Sequence, residues 1–246
     1  MKKLIVFTII ALMNSCGGGP LPPKKIKGQD ANNQDCIPFW RSLEKDDVKS
    51  VSKKCSSHQT EKIELAGHDI YEKCHNAVFI VEGDNGQGSA FFINDSGFAL
   101  SNLHVFMDNK NIKAKIGSDI YIIDEVLYDE NSNLDLVIIH VDLDFKNTYI
   151  PLSRDLPRIG DKVYAIGSPR GLENTLSSGE VSQMNLYEEE GLIQINVPID
   201  HGSSGGALIN QYGEAVGITT AGIDGSNANL NFALSVKALF PYLNMK

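Results

Sequence analysis

The chain has 246 residues, an ordinary share of apolar and charged residues, and a formal net charge of −9. This length is sufficient for one large domain or two half-domains around a substantial core. An acidic chain without a basic face argues against DNA or RNA binding. The 22 glycines and the scarcity of helix-period apolar runs favour β structure.

Residues 1–15 are predicted to be a signal peptide. Met1-Lys2-Lys3 is positively charged, and the apolar run that follows is too short to span a membrane. The run ends at Asn14-Ser15-Cys16, which is similar to the cleavage site of bacterial lipoproteins. That resemblance implies lipid attachment (palmitate among the acyl chains) to Cys16 and a membrane-anchored protein of the cell envelope, on its periplasmic or surface face. An ordinary secretory signal and a secreted protein are the alternative.

Two segments separate the signal peptide from the main domain. Residues 16–35 are rich in Gly, Pro and Asn and are predicted to be a flexible tether. Residues 36–67 are predicted to be a small extension that contains cysteines. Apolar side chains at roughly helical spacing within Cys36–Lys62 predict that it is helical. In an exported protein, two of Cys36, Cys55 and Cys74 are expected to form a disulfide bond, although the sequence does not select the pair. No zinc-binding spacing is present, so we expect neither a metal site nor a cofactor.

Residues 68–246 are predicted to form the main domain from short strands separated by turns. A helical turn or two at His68–Cys74 comes first, and a short helix at Val236–Leu243 comes last. The predicted strands include residues 77–82, 88–93, 98–101, 120–128 and 134–141. Short strands at this spacing favour a sandwich or barrel over βαβ units.

Two residues near strand ends are candidates for proton transfer. His104 follows the strand 98–101, and the pKa of a histidine suits it to accept a proton near neutral pH. Asp135 begins an otherwise apolar strand, where burial is costly unless a partner such as a histidine N–H is present. Asp129 is the nearest rival acid, but solvation explains an acid in its polar loop.

The stretch Gly202-Ser203-Ser204-Gly205-Gly206 lies between two strand-like runs. A glycine-rich corner can expose a serine hydroxyl and direct backbone N–H groups at one point, as acyl transfer requires. The stretch also fits the nucleophile elbow of α/β-hydrolases, but there the histidine follows the serine, and all six histidines here precede Ser204. The order His, Asp, Ser is that of chymotrypsin-type proteases. A simple Gly/Ser hairpin turn is the remaining interpretation of the stretch alone.

Several segments, taken in order, resemble the HtrA/DegP-like trypsin-fold serine proteases. They are Ser101-Asn102-Leu103-His104-Val105, Leu134–Ile139, Ala165–Leu172, Ser178–Ser182, Gly202–Gly206, Gly213–Ile218 and Asn231–Leu234. The resemblance covers about residues 70–240. It implies an all-β fold of two antiparallel six-stranded β-barrels, at about 76–145 and about 161–235, with the active site between them. No PDZ module follows the second barrel, so regulation through PDZ domains is not expected.

The resemblance also implies roles for individual residues. Ser204 would attack the scissile carbonyl, His104 would act as general base and then acid, and Asp135 would orient the imidazole. The backbone N–H groups of Gly202 and Ser204 would form the oxyanion hole. The implied function is a serine endopeptidase that cleaves exported or envelope proteins through an acyl-enzyme. A catalytically silent trypsin-fold binding protein and an esterase with the same triad are the alternatives, and the sequence does not indicate an oligomeric state.

The resemblance further implies that two segments line the substrate pocket. Their residues are Pro198, Ile199, His201, Ile218, Thr219 and Thr220. None of these is acidic, which predicts a small or aliphatic substrate residue before the cleaved bond. His201 is also a rival base, but its place three residues before Ser204 on a tight loop gives it poor geometry.

Overall fold

Short strands joined by tight turns make up most of the structure. This computed structural model describes residues 63–107, 109–129, 133–168, 174–184, 191–220 and 231–240, and the backbone of residues 39–42. The strands in these ranges are β1 (Phe39–Ser42), β2 (Val78–Gly83), β3 (Gly86–Phe92), β4 (Phe98–Ser101), β5 (Lys113–Ile116), β6 (Asp119–Tyr128), β7 (Val137–Val141), β8 (Lys162–Gly167), β9 (Thr175–Met184), β10 (Leu192–Ile195), β11 (Ala207–Asn210), β12 (Ala215–Thr220) and β13 (Asn231–Ser235).

Helices in the described ranges are few and short. They are the α-helices α1 (Gly67–Cys74) and α2 (Leu103–Phe106) and the 3-10 turns η1 (His75–Ala77) and η2 (Val236–Leu239). The predicted helical segment at His68–Cys74 is therefore present as α1. The predicted closing helix is a 3-10 turn over the part of it that is described. Within the described ranges, every helix is too short or too polar to cross a membrane.

Strands β2 to β7 close into the first barrel. Around the barrel the order is β6-β5-β2-β3-β4-β7, and β7 pairs again with β6. Every pairing within the ring is antiparallel. Phe79, Phe92, Val126 and Ile139 belong to the buried cluster that fills this barrel, because alternate residues of each strand face inward.

Strands β8 to β13 close into a second antiparallel barrel, in the order β10-β13-β12-β11-β8-β9. Its interior contains Val163, Val181, Ile193 and Leu208, all at most 1% exposed. Two closed six-stranded barrels confirm the fold class that the sequence resemblance implied.

A third apolar cluster joins the two barrels. It contains Phe91 and Leu100 from the first barrel, Ile166 and Ile218 from the second, and Ile70 from α1. All five side chains are fully buried. Because both barrels contribute to one continuous core, their facing ends are held together, and residues at those ends can form a common site.

The N-terminal extension differs from its prediction where it is described. Phe39–Ser42 forms β1, which pairs in parallel with Glu125–Tyr128 of β6. β5 pairs with β6 only up to Ile122, so the edge of β6 beyond that point offers backbone groups to an extended segment. The helical prediction is therefore wrong for these four residues. Tertiary pairing, which local apolar spacing does not report, decides their conformation.

Several sequence predictions fall outside the described residues. These are the signal peptide, the lipidation site Cys16, the tether 16–35, and residues 36–38 and 43–62 of the extension with Cys36 and Cys55. Cys74 is described: it is a free thiol at the end of α1, 1% exposed. Burial raises the pKa of this thiol to about 11, so it stays protonated at neutral pH.

His140 stabilises one turn of the first barrel through contacts at both ring nitrogens. His140 on β7 has its Nδ1 2.7 Å from Asp124 Oδ1 on β6 and its Nε2 3.1 Å from the carbonyl oxygen of Ser96. Both partners accept hydrogen bonds, so the doubly protonated ring satisfies both. The hydrogen bond from the ring to Asp124 raises the pKa of His140, against the opposing effect of partial burial.

We expect Asp124→Asn to lower the free energy of unfolding by about 0.2–1 kcal/mol in mildly acidic solution, the usual range for a partly exposed ion pair. The pKa of His140 is raised in the folded protein, so the pair stabilises fully below the pKa of an unfolded histidine, about 6.5. Its contribution is lost as the pH rises through the folded pKa. Urea unfolding of both proteins at about pH 5.5 and about pH 9 measures the difference. An equal difference at both pH values would contradict this account.

Candidate active site

His104 and Asp135 are joined by two hydrogen bonds at one end of the first barrel. β4 and β7 are neighbours, with Ser101 opposite Val137, so the segment after β4 lies beside the segment before β7. His104 is in α2, directly after β4, and Asp135 lies two residues before β7, in a loop and not in the strand that the sequence predicted. His104 Nδ1 is 2.7 Å from Asp135 Oδ2, and the His104 backbone N–H donates to Oδ1 at 2.8 Å. The carboxylate therefore fixes the ring and its backbone together.

Two further contacts hold Asp135 in place. Asn102 Nδ2 donates to the Asp135 backbone carbonyl at 2.9 Å. From the second barrel, Thr220 Oγ1 lies 3.4 Å from Asp135 Oδ2. The Asp135 side chain is 16% exposed and that of His104 is 36% exposed. The carboxylate is thus largely shielded from water, while the imidazole is accessible to a bound molecule.

The His104 imidazole is set up to act as a base. Burial lowers the pKa of His104, but the hydrogen bond and the negative charge of Asp135 raise it, and the net result is a pKa above the ordinary 6.5. When the ring is neutral, a proton on Nδ1 faces Asp135 and the lone pair is on Nε2. In the described part of the chain, Nε2 of His104 has no hydrogen-bond partner, so it is open to a proton donor.

Ser204 lies on the turn that leads into β11. Gly202 and Gly205 on either side have φ of +94° and +88°, a conformation that a residue without a side chain adopts at little cost. The Ser203 N–H donates to the Asp200 carbonyl at 3.0 Å. Within the described ranges, neither the Gly202 N–H nor the Ser204 N–H donates a hydrogen bond. They are available to bind an oxyanion.

The turn packs against the first barrel close to His104. The Ser89 N–H on β3 donates to the Ser204 carbonyl at 2.8 Å. A Cβ atom on Gly88 would lie 2.7 Å from the methyl groups of Val105 and 3.0 Å from the Ser204 carbonyl, so Ser204 and the residue after His104 meet at the same point of β3. Among the described contacts, no hydrogen bond joins Ser204 Oγ to His104. Such bonds often tighten only when substrate binds.

The predicted pocket residues fall into two groups. Pro198 and His201 are exposed, and Ile199 is half-buried against the core of the second barrel. Ile218, by contrast, is 0% exposed and belongs to the shared core. Thr219 is 1% exposed, and its hydroxyl donates to the Ser203 carbonyl at 2.6 Å.

The structure therefore uses Ile218 and Thr219 inside the protein, which leaves these two side chains little surface for a substrate. Thr220, 8% exposed, directs its hydroxyl to Asp135. The ring of His201 makes no hydrogen bond among the described contacts. No group of three or more His, Cys, Asp or Glu in the described ranges is arranged to hold a metal ion.

Sequence reasoning did not single out Ser89 or Asn102, which support the site. Ser89 stands in the buried run Gly88-Ser89-Ala90 of β3, and its hydroxyl donates to the Gly202 carbonyl. A lone serine next to a glycine at the start of the apolar run Ala90–Phe92 is the signal that identifies it, because a buried hydroxyl needs a partner. Asn102 is inside the segment around His104 that carried the family resemblance.

Comparison with known proteins gives a consistent result. The family model described as a trypsin-like peptidase domain matches residues 88–218, which include all three candidate reactive residues. The "Probable periplasmic serine endoprotease DegP-like" of Rhizobium meliloti is 34% identical over 157 residues, 62% of this chain and 31% of that protein. The "Serine endoprotease DegS" of Escherichia coli is 33% identical over 146 residues, 57% of this chain and 41% of that protein. The chain thus matches less than half the length of either relative.

A solved structure with a similar fold is the serine endoprotease from Yersinia pestis. It superposes with a TM-score of 0.64 and 26% sequence identity. The superposition covers 74% of this chain and 68% of that one. The two-barrel arrangement is therefore shared over most of both chains.

The His104 pKa can be measured directly. In protein labelled with ¹³C-histidine, NMR titration is expected to give His104 a pKa above 6.5, since Asp135 stabilises the imidazolium. Asp135→Asn should lower that pKa and leave the pKa of His140 unchanged. Asp124→Asn is the matched control: it should lower the pKa of His140 and leave that of His104 unchanged. A His104 pKa that Asp135→Asn does not move would contradict the electrostatic coupling.

The close approach of the barrels predicts a large cost for Gly205→Ala. A Cβ atom there would collide with the Ser89 carbonyl oxygen and the Ser101 hydroxyl. Gly160 has the same φ of +88° but nothing within 4 Å of its Cβ position, so Gly160→Ala bears the backbone strain alone, about 1–3 kcal/mol. We expect Gly205→Ala to cost about 2 kcal/mol more than this control in urea unfolding. Equal losses of unfolding free energy in the two variants would show that Gly205 is not tightly packed against Ser89 and Ser101.

Proposed function

The chain belongs to the trypsin-like peptidase domain family, and from that premise we propose that it is a serine endopeptidase. The similarity to DegP and DegS confirms the HtrA-like resemblance of its motifs. The observation that supports the activity most directly is the His104–Asp135 pair, with 2.7 Å between Nδ1 and Oδ2, beside a turn with two unengaged N–H groups. We assign the reaction to His104, Asp135 and Ser204.

In the proposed reaction, Ser204 Oγ attacks the carbonyl carbon of the scissile peptide while His104 Nε2 takes the hydroxyl proton. The carbonyl π bond opens, and the resulting oxyanion accepts hydrogen bonds from the Gly202 and Ser204 N–H groups. As the C–N bond breaks, His104 returns the proton to the leaving amine, which leaves an acyl group on Ser204. Water then attacks this ester, with His104 again as base, and Ser204 is regenerated.

Asp135 acts through the His104 ring and does not contact the reacting atoms in this cycle. Its hydrogen bond with Nδ1 keeps the neutral ring in the tautomer whose lone pair is on Nε2, and its charge stabilises the imidazolium that forms. The bond from the His104 backbone N–H to Oδ1 fixes the carboxylate relative to the ring. Shielding from water strengthens this interaction, since the effective dielectric constant is lower inside a protein.

The substrates we propose are exported or envelope proteins, with a small or aliphatic residue before the cleaved bond. Support comes from the sequence features of the signal peptide and from the periplasmic assignment in the name of the Rhizobium relative. We propose that lipid on Cys16 anchors the protein to the membrane. Mass spectrometry of the mature N-terminus tests this, because a lipidated Cys16 adds the mass of its acyl chains, whereas an ordinary signal peptide leaves an unmodified N-terminus.

A catalytically silent binding protein is the second candidate. One observation favours it: the Ser204 hydroxyl is not hydrogen-bonded to His104 among the described contacts. A fluorophosphonate probe discriminates, because it labels only a serine that is activated as a nucleophile. Labelling of Ser204 supports an enzyme, and an unreactive Ser204 supports the binding protein. Parallel assays with peptide and ester substrates separate a peptidase from an esterase.

Substitution of the reactive residues is expected to remove activity. Ser204→Ala and His104→Ala should each lower kcat on an unfolded protein substrate by about 10⁵–10⁶-fold, since each removes a group that the bond-breaking step requires. His68→Ala is the matched control, because it removes an exposed histidine that lies outside the proposed site. We expect this control to retain kcat within about threefold. Full activity in both Ser204→Ala and His104→Ala would refute the assignment.

A further inference from the structure

Ser89 is a fully buried polar residue at the contact between the two barrels. It lies on β3 of the first barrel and is 0% exposed. Its backbone N–H donates to the Ser204 carbonyl at 2.8 Å, and its carbonyl accepts from Ser101 Oγ at 2.7 Å. Ser101 ends β4, the strand that leads to His104. One residue therefore contacts both the strand that carries the histidine and the turn that carries the serine.

The Ser89 hydroxyl extends these contacts to a third segment. It donates to the Gly202 carbonyl at 2.7 Å and accepts from the Ser168 backbone N–H at 2.9 Å. A hydroxyl has one proton to donate, so its donor capacity is fully used on Gly202. Ser168 follows β8 of the second barrel. The hydroxyl thus connects two loops of the second barrel through a single side chain of the first.

The Gly202 carbonyl belongs to the peptide group that joins Gly202 to Ser203. This group lies between the two peptide groups whose N–H groups, those of Gly202 and Ser204, would bind an oxyanion. The N–H at the other end of this peptide, that of Ser203, donates to the Asp200 carbonyl at 3.0 Å. Both ends of the central peptide are consequently held. A rotation of that peptide would turn the neighbouring N–H groups of Gly202 and Ser204 away from a common point, and it cannot occur without breaking the bond from Ser89.

We propose that Ser89 is a positioning residue that keeps the Gly202 and Ser204 N–H groups directed at the oxyanion. The proposal rests on the proposed function, because it assigns Ser89 to the same reaction. Its hydroxyl touches neither substrate nor a reacting atom and acts only through the Gly202 peptide. An oxyanion forms in the transition state and not in the bound substrate, so loss of this hydroxyl should lower kcat and leave KM nearly unchanged.

The test compares Ser89→Ala with Ser153→Ala. Ser153 is also 0% exposed. Its hydroxyl lies 3.1 Å from two acceptors, the Asp155 carbonyl and Glu214 Oε2, and accepts from the Asp155 N–H at 3.3 Å, so both variants lose a buried, hydrogen-bonded hydroxyl. With a short peptide substrate we expect Ser89→Ala to lower kcat by about 10–100-fold, less than the loss of an oxyanion donor itself, with KM within about twofold. Ser153→Ala should keep kcat within about twofold. Urea unfolding of both variants shows whether their stabilities fall equally.

A second measurement does not depend on turnover. Hydrogen exchange of residues 200–206, followed by mass spectrometry, is expected to be faster in Ser89→Ala than in the wild type and unchanged in Ser153→Ala. If the wild type is active and kcat of Ser89→Ala is within twofold of it, the positioning role is wrong. If the wild type neither cleaves peptides nor reacts with a fluorophosphonate, the proposed function fails. Hydrogen exchange of residues 200–206 then tests the positioning role by itself. Exchange in Ser89→Ala that equals that of the wild type overturns this role.

Discussion

The packing of β3 against the turn around Ser204 is the contact on which the site depends. His104 and Asp135 belong to the first barrel and Ser204 to the second, so no covalent segment shorter than 69 residues links the acid to the serine. Only the contact between barrels brings them together. The Ser89 N–H bond to the Ser204 carbonyl and the shared apolar cluster around Phe91 and Ile166 provide that contact.

Close packing at this junction places opposing demands on the sequence. Gly88 and Gly205 let two backbones approach to distances at which any side chain would collide. The same approach buries backbone carbonyls, which lose their hydration and require protein partners. Ser89 and Thr219 supply hydroxyl donors to the Gly202 and Ser203 carbonyls. Small residues and hydroxyl-bearing residues at this junction thus serve one purpose: they order a turn in which the N–H groups of Gly202 and Ser204 remain unpaired within the described ranges.

The sequence predicted what is local and missed what depends on distant pairing. The bounds of β4, Phe98–Ser101, follow from flanking turn signals and agree with the structure. By contrast, Asp135 precedes β7 by two residues, because both of its carboxylate oxygens are engaged by His104 outside the ladder. Phe39–Ser42 has a strand conformation that only the free edge of β6 explains. The hydroxyl contacts of Ser89 likewise join residues more than 70 positions apart, which no local pattern encodes.

Two histidine–carboxylate pairs in this structure show why a motif alone does not define a site. His104 and His140 each have Nδ1 2.7 Å from an aspartate oxygen, and in each the aspartate raises the pKa of the ring. They differ at the other nitrogen. Nε2 of His140 is 3.1 Å from the Ser96 carbonyl, which accepts a hydrogen bond and so keeps a proton on Nε2. Both nitrogens of His140 are then engaged, and the ring has a structural role. Nε2 of His104 has no such acceptor in the described ranges. The partner of Nε2, and not the carboxylate at Nδ1, therefore decides whether such a histidine can act as a general base or serves only a structural role.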